Sequence, residues 1–215
     1  MTTPKTGGQI VVDMLVSLGI SHVFGVVGGQ TLAITDAIID TPGIELVHTR
    51  HENAAAVMMD AYGRLTGKPA ACISTTGPGA TNLLTGVGGA FRDSSPGFVL
   101  TCNNNGENIN KDDAQNADHV ELFKPLVKYS RLVAHASSIK QAMEEAYVNA
   151  MAGNPGPVHL DVPLNVFVEE TDEETPDPGL WRSGVSSAVG ASGEDVTRAL
   201  ALLAGAERPV IFAGH

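Results

Sequence analysis

The 215-residue chain is poor in cysteine and in aromatic residues, and it has no long apolar run. Its two cysteines, Cys72 and Cys102, each stand in an apolar stretch, which is typical of buried free thiols in a reducing cytoplasm; a disulfide is the less favoured alternative. No stretch reaches the roughly 20 apolar residues that span a bilayer, and no signal peptide is evident. We therefore expect a cytoplasmic protein with no membrane partner.

Basic residues are also scarce, since 13 lysines and arginines stand against 24 aspartates and glutamates and the net charge is −11. A chain of this charge repels phosphate backbones, so nucleic acid is a poor candidate partner. The dinucleotide pattern G-x-G-x-x-G and the P-loop pattern G-x-x-x-x-G-K-[ST] are both absent. The missing glycine fingerprint counts against a Rossmann-type dinucleotide binder.

What the sequence does contain is an alternation of short apolar strands with helical segments. The predicted strands are HVFGVV, IELVHT, AACISTT, GFVLTC, VKYSRLVA and GPVHLDVP. Strands that are apolar without alternation are typical of a parallel sheet whose two faces are both buried. We predict an α/β fold in which a doubly wound, mostly parallel sheet carries helices on both faces.

The composition changes near residue 170. Residues 1–170 are predicted to form one domain, and residues 171–191, which are acidic and then rich in Pro, Gly and Ser, a linker. Residues 192–215 contain a helix and the apolar strand RPVIFAGH, which we interpret as the truncated start of a second α/β domain.

Three predicted strand ends carry unusual residues: Gly25 to Gly29, Arg50 to Glu52, and Thr75 to Asn82. In open α/β sheets, ligands bind at the carboxyl ends of the strands. Glycines there can let a ligand approach the backbone, although GPG can also be a tight turn that starts a helix. The sequence therefore points to these ends without deciding the ligand.

Glu52 stands out because the helix after it is nearly bare of polar groups. Between positions 53 and 65 the polar side chains are Asn53, Asp60 and Arg64, which form one narrow stripe. A glutamate in a first helical turn is commonly only a favourable charge, worth about 0.3–1 kcal/mol. In apolar surroundings, however, a carboxylate needs a ligand or suffers desolvation.

The helices that begin near Asn53 and near Thr81 are too apolar to face water. We expect them to join copies of the chain into a homodimer or tetramer. Ala55 and Gly86 are the positions at which we expect an added arginine to disrupt that contact.

Three ordered motifs then carry a resemblance: RHENAAAVMMDAYGRLTGKPA, TTGPGATNLLTGVGGAFRDSSP and GNPGPVHLDVP. Together they resemble the pyrimidine-binding domain of thiamine-diphosphate enzymes, above all the acetolactate synthase group of 2-oxo acid decarboxylases and carboligases. The resemblance covers about residues 7–170, and RPVIFAGH is similar to the beginning of that group's middle domain.

The resemblance implies a role for Glu52. In that family the glutamate at the RHE position hydrogen-bonds a ring nitrogen of the cofactor's aminopyrimidine, and this helps to remove the proton from the thiazolium carbon. Glu52 is thus the implied catalytic residue, and the implied cofactor-binding residues are Glu52, Val26, Val27, Gly28, Thr75, Thr76 and Asn82. Asn103 and Gln115 are implied on the substrate side.

The resemblance also implies that the diphosphate and magnesium are bound by a C-terminal GDG…N motif. This sequence lacks that motif, so we expect the chain to be inactive alone.

Three departures leave the activity open. The synthases usually have proline where Val27 stands and glutamine where Asn103 stands, and Ala114 replaces a bulky aromatic residue. The GVVG segment is more similar to acyl-CoA lyase and oxalyl-CoA decarboxylase relatives than to the synthases. An acyl-CoA is therefore a candidate substrate alongside a 2-oxo acid. A further alternative is a non-catalytic relative that only dimerises or regulates, although the presence of Glu52 favours an enzyme.

The histidines show no spacing that is typical of a zinc site. We interpret His51, His119 and His159 as satisfied core or surface groups, and we predict no metal ligand in this chain.

Overall fold

The computed structural model describes residues 4–109, 111–172 and 190–212. The strands are β1 (Lys5–Thr6), β2 (His22–Gly25), β3 (Glu45–His48), β4 (Ala70–Ser74), β5 (Gly97–Asn103), β6 (Ser130–Leu132), β7 (Pro157–Pro163) and β8 (Glu170–Thr171). The helices are α1 (Gly7–Ser17), α2 (Leu32–Asp40), α3 (Glu52–Thr66), α4 (Pro78–Arg92), α5 (His119–Phe123), α6 (Ile139–Met151), α7 (Leu164–Val168) and α8 (Gly193–Ala204).

The main sheet has six strands in the order β3-β2-β4-β5-β7-β6, and every neighbouring pair is parallel. A separate two-stranded pair joins β1 to β8. Helices α1, α2 and α6 pack on one face of the sheet, and α3 and α4 pack on the other. The predicted α/β fold with a parallel sheet and helices on both faces is confirmed.

The two faces have separate cores because successive strand residues point to opposite sides. In β5, Phe98 and Leu100 are buried with α1 and α6, whereas Val99 is buried with α3 and α4. All residues of β4, β5 and β7 are buried. This explains why the strands read as continuous apolar runs rather than as alternating patterns.

Helix α4 begins at Pro78, a few residues before the start near Thr81 that the sequence led us to expect. Proline suits the first helical position because an N–H group there would have no hydrogen-bond acceptor within the helix. Helix α3 begins at Glu52 itself, after His51 caps it by accepting a hydrogen bond from the Asn53 N–H at 3.1 Å.

Helices α3 and α4 pack closely against each other. Ala55 is fully buried, and a Cβ atom added at Gly86 would lie 2.6 Å from the Cβ of Ala56. Both positions therefore lie inside the chain's own core. The expectation that Ala55 and Gly86 contact a partner chain is wrong.

The predicted linker, residues 171–191, lies outside the described residues except at its two ends, and Thr171 belongs to β8. The predicted helix after it is present as α8, which is capped by Ser192. The predicted strand after α8 does not form in residues 209–212, and residues 213–215 lie outside the described part. An unpaired strand leaves its backbone N–H and C=O groups without partners, which accounts for this difference.

Across residues 4–109, 111–172 and 190–212, no helix has the length and apolar character needed to cross a membrane.

Candidate functional site

The loops after β2, β3 and β4 meet at the carboxyl edge of the sheet. After β2 the chain turns to α2 on one face, and after β4 it turns to α4 on the other. Loops that diverge in this way leave a crevice, which is where open α/β sheets bind ligands. The loops are nevertheless close at their bases, because the Gly28 backbone packs against the Thr75 methyl group.

Glu52 lies at this edge, in the first turn of α3, and is half-buried. Its Oε2 atom accepts a hydrogen bond from Asn82 Nδ2 at 3.0 Å. Its Oε1 atom accepts no hydrogen bond from any residue that the structure describes. The position at the start of a helix stabilises the negative charge. One carboxylate oxygen is thus anchored, and the other is available to a ligand.

Gly79 lies beside the available oxygen. A Cβ atom at this position would lie 2.5 Å from Thr75 Oγ1 and 3.4 Å from Glu52 Oε1. The predicted contact residues Glu52, Thr75 and Asn82 are therefore brought together around a glycine. A side chain there would meet the Thr75 hydroxyl and the carboxylate.

The turn that contains Val26, Val27 and Gly28 forms the other wall. The Gly28 N–H donates to the Thr31 hydroxyl at 2.9 Å, and the Gly28 carbonyl accepts from the same hydroxyl at 3.0 Å. Val26 is half-buried, and Val27 is exposed. Gly28 therefore uses these backbone groups within the turn, Val26 remains its half-buried side chain, and Val27 lines a cleft with residues of α2.

Two of the predicted contact residues are committed to a buried network. The Thr76 hydroxyl donates to Asn103 Oδ1 at 3.0 Å, and Asn103 Nδ2 donates to Asp161 Oδ2 at 2.7 Å. Asn103 Oδ1 also accepts from the Asn104 N–H at 2.8 Å. Thr76 and Asn103 thus stabilise the floor below the crevice rather than its open surface.

A second branch of the network passes through His119. Its Nδ1 atom lies 2.8 Å from Asp161 Oδ1, and its Nε2 atom accepts from the Gly77 N–H at 3.0 Å. Burial works to raise the pKa of Asp161, but hydrogen bonds from His119 and Thr101 outweigh burial and hold that pKa below its ordinary value. Asp161 is therefore an ionised carboxylate in the interior.

His159 completes the network on the side away from the crevice. Its Nε2 atom lies 2.8 Å from Thr101 Oγ1 and its Nδ1 atom 2.8 Å from Ser130 Oγ, while Thr101 Oγ1 donates to Asp161 at 2.6 Å. The interpretation of His119 and His159 as satisfied core groups is confirmed, because both are buried and hydrogen-bonded.

The sequence did contain a signal for this network that we did not use. Thr101 and Asn103 are two positions apart in β5, and His159 and Asp161 are two positions apart in β7. Polar residues at a spacing of two in fully buried strands point to the same face. The two strands pair with Thr101 opposite Asp161, which brings both polar pairs together.

Gln115 reaches the crevice through its backbone. It has a φ of 60°, and its carbonyl oxygen lies against the Cα of Gly77, which itself has a φ of 55°. A Cβ atom at Gly77 would collide with that oxygen, so the turn requires glycine. The side chain of Gln115 is exposed, as a substrate-side residue would need to be.

Two open clefts lie elsewhere. One of about 540 Å³ lies between α1, α2 and α7, and one of about 530 Å³ is lined by Val27 and residues of α2. Neither lining includes Glu52. In the residues that the structure describes, no group of three or more His, Cys, Asp or Glu side chains could hold a metal ion.

The stability of the chain is expected to fall in acid because of His159. Burial lowers the pKa of His159 from 6.5 to about 3. The unfolded chain therefore takes up a proton that the folded chain excludes, and this lowers the free energy of unfolding by about 1.4 kcal/mol per pH unit as the pH falls from about 6.5 towards 3. Urea denaturation at about pH 5 and about pH 7 measures the slope.

The matched variants are His159→Leu and His48→Gln, since His48 is exposed. In His159→Leu, the free energy of unfolding should depend less steeply on pH, because the contribution of one proton is lost. In His48→Gln, the pH dependence should equal that of the wild type. An unchanged slope in His159→Leu would contradict the buried neutral imidazole.

Comparison with known proteins bears on the ligand of this site. Residues 5–122 match the family described as thiamine pyrophosphate enzyme, N-terminal TPP binding domain. The chain is 37% identical over 211 residues to the acetolactate synthase large subunit of Buchnera aphidicola subsp. Acyrthosiphon pisum, covering 97% of this chain and 37% of that protein.

Two further relatives give the same result. The acetolactate synthase large subunit of Lactococcus lactis is 36% identical over 211 residues, covering 98% of this chain and 36% of that protein. The acetolactate synthase isozyme 3 large subunit of Escherichia coli is 36% identical over 215 residues, covering 97% of this chain and 37% of that protein. The chain therefore spans just over a third of the length of these curated relatives.

Proposed function

Since this chain belongs to the thiamine pyrophosphate enzymes, through their N-terminal TPP binding domain, we propose that it binds the aminopyrimidine ring of thiamine diphosphate against Glu52. The enzyme would cleave or form carbon–carbon bonds next to a carbonyl group. The observation that carries the proposal is the Glu52 carboxylate, which has one oxygen anchored by Asn82 and the other available at the carboxyl edge of the sheet.

The residues present fit an aminopyrimidine ring. Such a ring is flat, partly apolar and able to hydrogen-bond along its edge, and it needs a narrow slot with one strong partner. Val26 and Thr75 can contact its faces, Gly79 leaves room beside the carboxylate, and Glu52 Oε1 can bind a ring nitrogen. Asn82 is engaged with the other carboxylate oxygen and so fixes the direction in which Oε1 points.

When bound, thiamine diphosphate would supply the electron sink for breaking a bond next to a carbonyl group. Glu52 would hold and exchange a proton at the ring nitrogen that it binds. A carboxylate that is partly shielded from water makes a stronger hydrogen bond than an exposed one. A glutamine at this position could make a hydrogen bond but could not exchange a proton, so the rate of thiazolium proton exchange in Glu52→Gln tests the proposal.

The proposed substrate is a small 2-oxo acid, because the relatives are named acetolactate synthases. An acyl-CoA remains the second candidate on account of Val27. We propose that the diphosphate and magnesium are bound by a further domain, as in the family, and that the chain is inactive without it. The buried free thiols of Cys72 and Cys102 favour a cytoplasmic location.

We also propose a homodimer or a larger assembly, formed through α3 and α4. Helix α3 exposes Val57 (48%), Met58 (42%) and Leu65 (86%), and Ala61 is exposed between them. This spacing places all four side chains on one face of the helix. Exposed apolar stripes of this kind are typical of subunit contacts, and the relatives are named as large subunits.

The variant Met58→Arg is expected to convert the associated wild-type chain into a monomer. An arginine buried in the contact without a partner weakens association by about 3–5 kcal/mol. Sedimentation velocity over a range of chain concentrations measures the effect.

Val148→Arg is the matched control, because Val148 is equally apolar and lies on α6, which packs on the opposite face of the sheet. It should associate as the wild type does. A wild-type chain that stays monomeric at high micromolar concentration would count against this contact.

A further inference from the structure

Asp161 connects the interior of the sheet to the turn that starts α4. It lies on β7, between β5 and the edge strand β6, and is 2% exposed. Its Oδ1 atom is bound by His119, which binds the Gly77 N–H, and its Oδ2 atom is bound by Asn103, which binds the Thr76 hydroxyl. One buried carboxylate therefore holds two consecutive residues of the turn through two separate side chains.

The geometry fixes the tautomer of His119. An N–H group can donate only to an unprotonated ring nitrogen, so the bond from Gly77 at 3.0 Å requires a lone pair on Nε2. The ring proton is then on Nδ1, where it is donated to Asp161 at 2.8 Å. His119 is thus a neutral imidazole whose two nitrogens have different, assigned uses.

The turn that this network holds determines where α4 begins. Gly77 has the backbone angles φ 55° and ψ −109° and directly precedes Pro78, the first residue of the helix. Gly79 and Asn82, which stand next to Glu52, lie in the first turns of the same helix. A shift of Gly77 therefore moves both residues relative to the carboxylate.

We infer that Asp161 and His119 are positioning residues, which hold the Gly77 amide and so fix Asn82 and Gly79 against Glu52 without contacting the cofactor. The catalytic part of this inference rests on the proposed function of Glu52. The structural part, that His119 holds the amide of Gly77, does not. Placement errors of about 1 Å at a reacting group can lower rates by about 10²-fold, so an anchored helix start has a kinetic consequence.

The first test uses the chain without cofactor. Nitrogen-15 NMR of labelled histidine should show His119 as the Nδ1–H tautomer, with an unprotonated Nε2 atom. It should also show that the Gly77 amide exchanges slowly with solvent. A protonated Nε2, whether in the other tautomer or in the imidazolium, would overturn the inference, because Gly77 would then have no acceptor. This test uses the wild-type chain, so it does not depend on whether any variant folds.

The second test compares two substitutions of the same residue in the full-length enzyme. His119→Gln can place a carbonyl oxygen where Nε2 accepts the Gly77 amide, whereas His119→Asn can place only an amide nitrogen where Nδ1 contacts Asp161. We expect Gly77 amide exchange to accelerate about 10-fold in His119→Asn, the effect of one lost hydrogen bond, and to stay near the wild-type rate in His119→Gln. Thiazolium proton exchange should slow by about 10- to 100-fold in His119→Asn alone.

His159→Gln is the matched control. His159 is fully buried and reaches the same carboxylate through Thr101, but it does not touch the turn. It should lower stability while leaving Gly77 protection and thiazolium exchange unchanged. The positioning role is contradicted if His119→Gln and His119→Asn give the same rates of Gly77 amide exchange and thiazolium proton exchange. It is also contradicted if both variants only lower stability, as His159→Gln should. If the Gly77 amide responds as expected but thiazolium exchange does not, the anchor remains and its catalytic role is contradicted.

Discussion

The chain alone is expected to bind thiamine diphosphate with a dissociation constant in the millimolar range or weaker. A pyrimidine slot offers a few hydrogen bonds, each worth about 1 kcal/mol net, and the cost of immobilising the ligand is subtracted from them. A millimolar constant corresponds to only about 4 kcal/mol of binding free energy. The sequence has no P-loop and no GDG…N motif, and its net charge of −11 repels a diphosphate.

Titration calorimetry with thiamine diphosphate and with unphosphorylated thiamine measures this directly. We expect the two ligands to bind equally weakly, with or without magnesium, because the chain contributes contacts only to the ring. We also expect no consumption of a 2-oxo acid by the chain alone. A micromolar constant for thiamine diphosphate, or a clear preference for it over thiamine, would show that the chain has a diphosphate site of its own.

The architecture could be predicted from local sequence because buried parallel strands have a strong signature. Strands β4, β5 and β7 are buried at every residue, so their apolar runs indicated a sheet covered on both faces. The position of Glu52 at the start of a helix was also predictable, since a short apolar strand leads to it and a helix nearly bare of polar groups follows it.

The orientation of α3 could not be predicted. Small alanine side chains lie on several sides of this helix, so the sequence does not distinguish the face that packs on α4 from the face that is exposed. Only the structure shows that Ala55 points inward and Met58 points outward. The short helix α5 was missed for a similar reason, because its cap, Asp118, stands in a long polar stretch without a period.

The buried network could not be assembled because it depends on pairing between distant strands. Asp161 meets Thr101 across 60 residues and His119 across 42. No local pattern specifies that β5 and β7 are neighbours with Thr101 opposite Asp161. Thr76 and Asn103 were accordingly assigned to the ligand, whereas the structure engages both in the network below the crevice.

Glu52→Gln is expected to remove cofactor activation while leaving the fold intact. Glutamine has nearly the same shape and can keep a hydrogen bond with Asn82, so α3 and α4 should stay in place. It has no negative charge and cannot exchange a proton with a ring nitrogen. Proton transfer by a positioned side chain contributes about 10²–10⁴-fold to a rate, and this whole contribution should be lost.

Glu45→Gln is the matched control for Glu52→Gln. Glu45 begins β3, the strand that leads to Glu52, but it is exposed at the opposite edge of the sheet. This variant removes the same charge from the same segment of the chain, and it should leave cofactor activation unchanged. Equal losses in both variants would indicate a general effect of charge rather than a role specific to Glu52.

The rate of proton exchange at the thiazolium carbon tests the role of Glu52 most directly, because it does not depend on which substrate the enzyme uses. It is measured in the full-length enzyme by acid quench and NMR after transfer to deuterated water. We expect Glu52→Gln to slow this exchange by at least about 10²-fold while the circular dichroism spectrum stays that of the wild type. Exchange at the wild-type rate in a folded Glu52→Gln variant would contradict the assignment of Glu52 as the activating carboxylate.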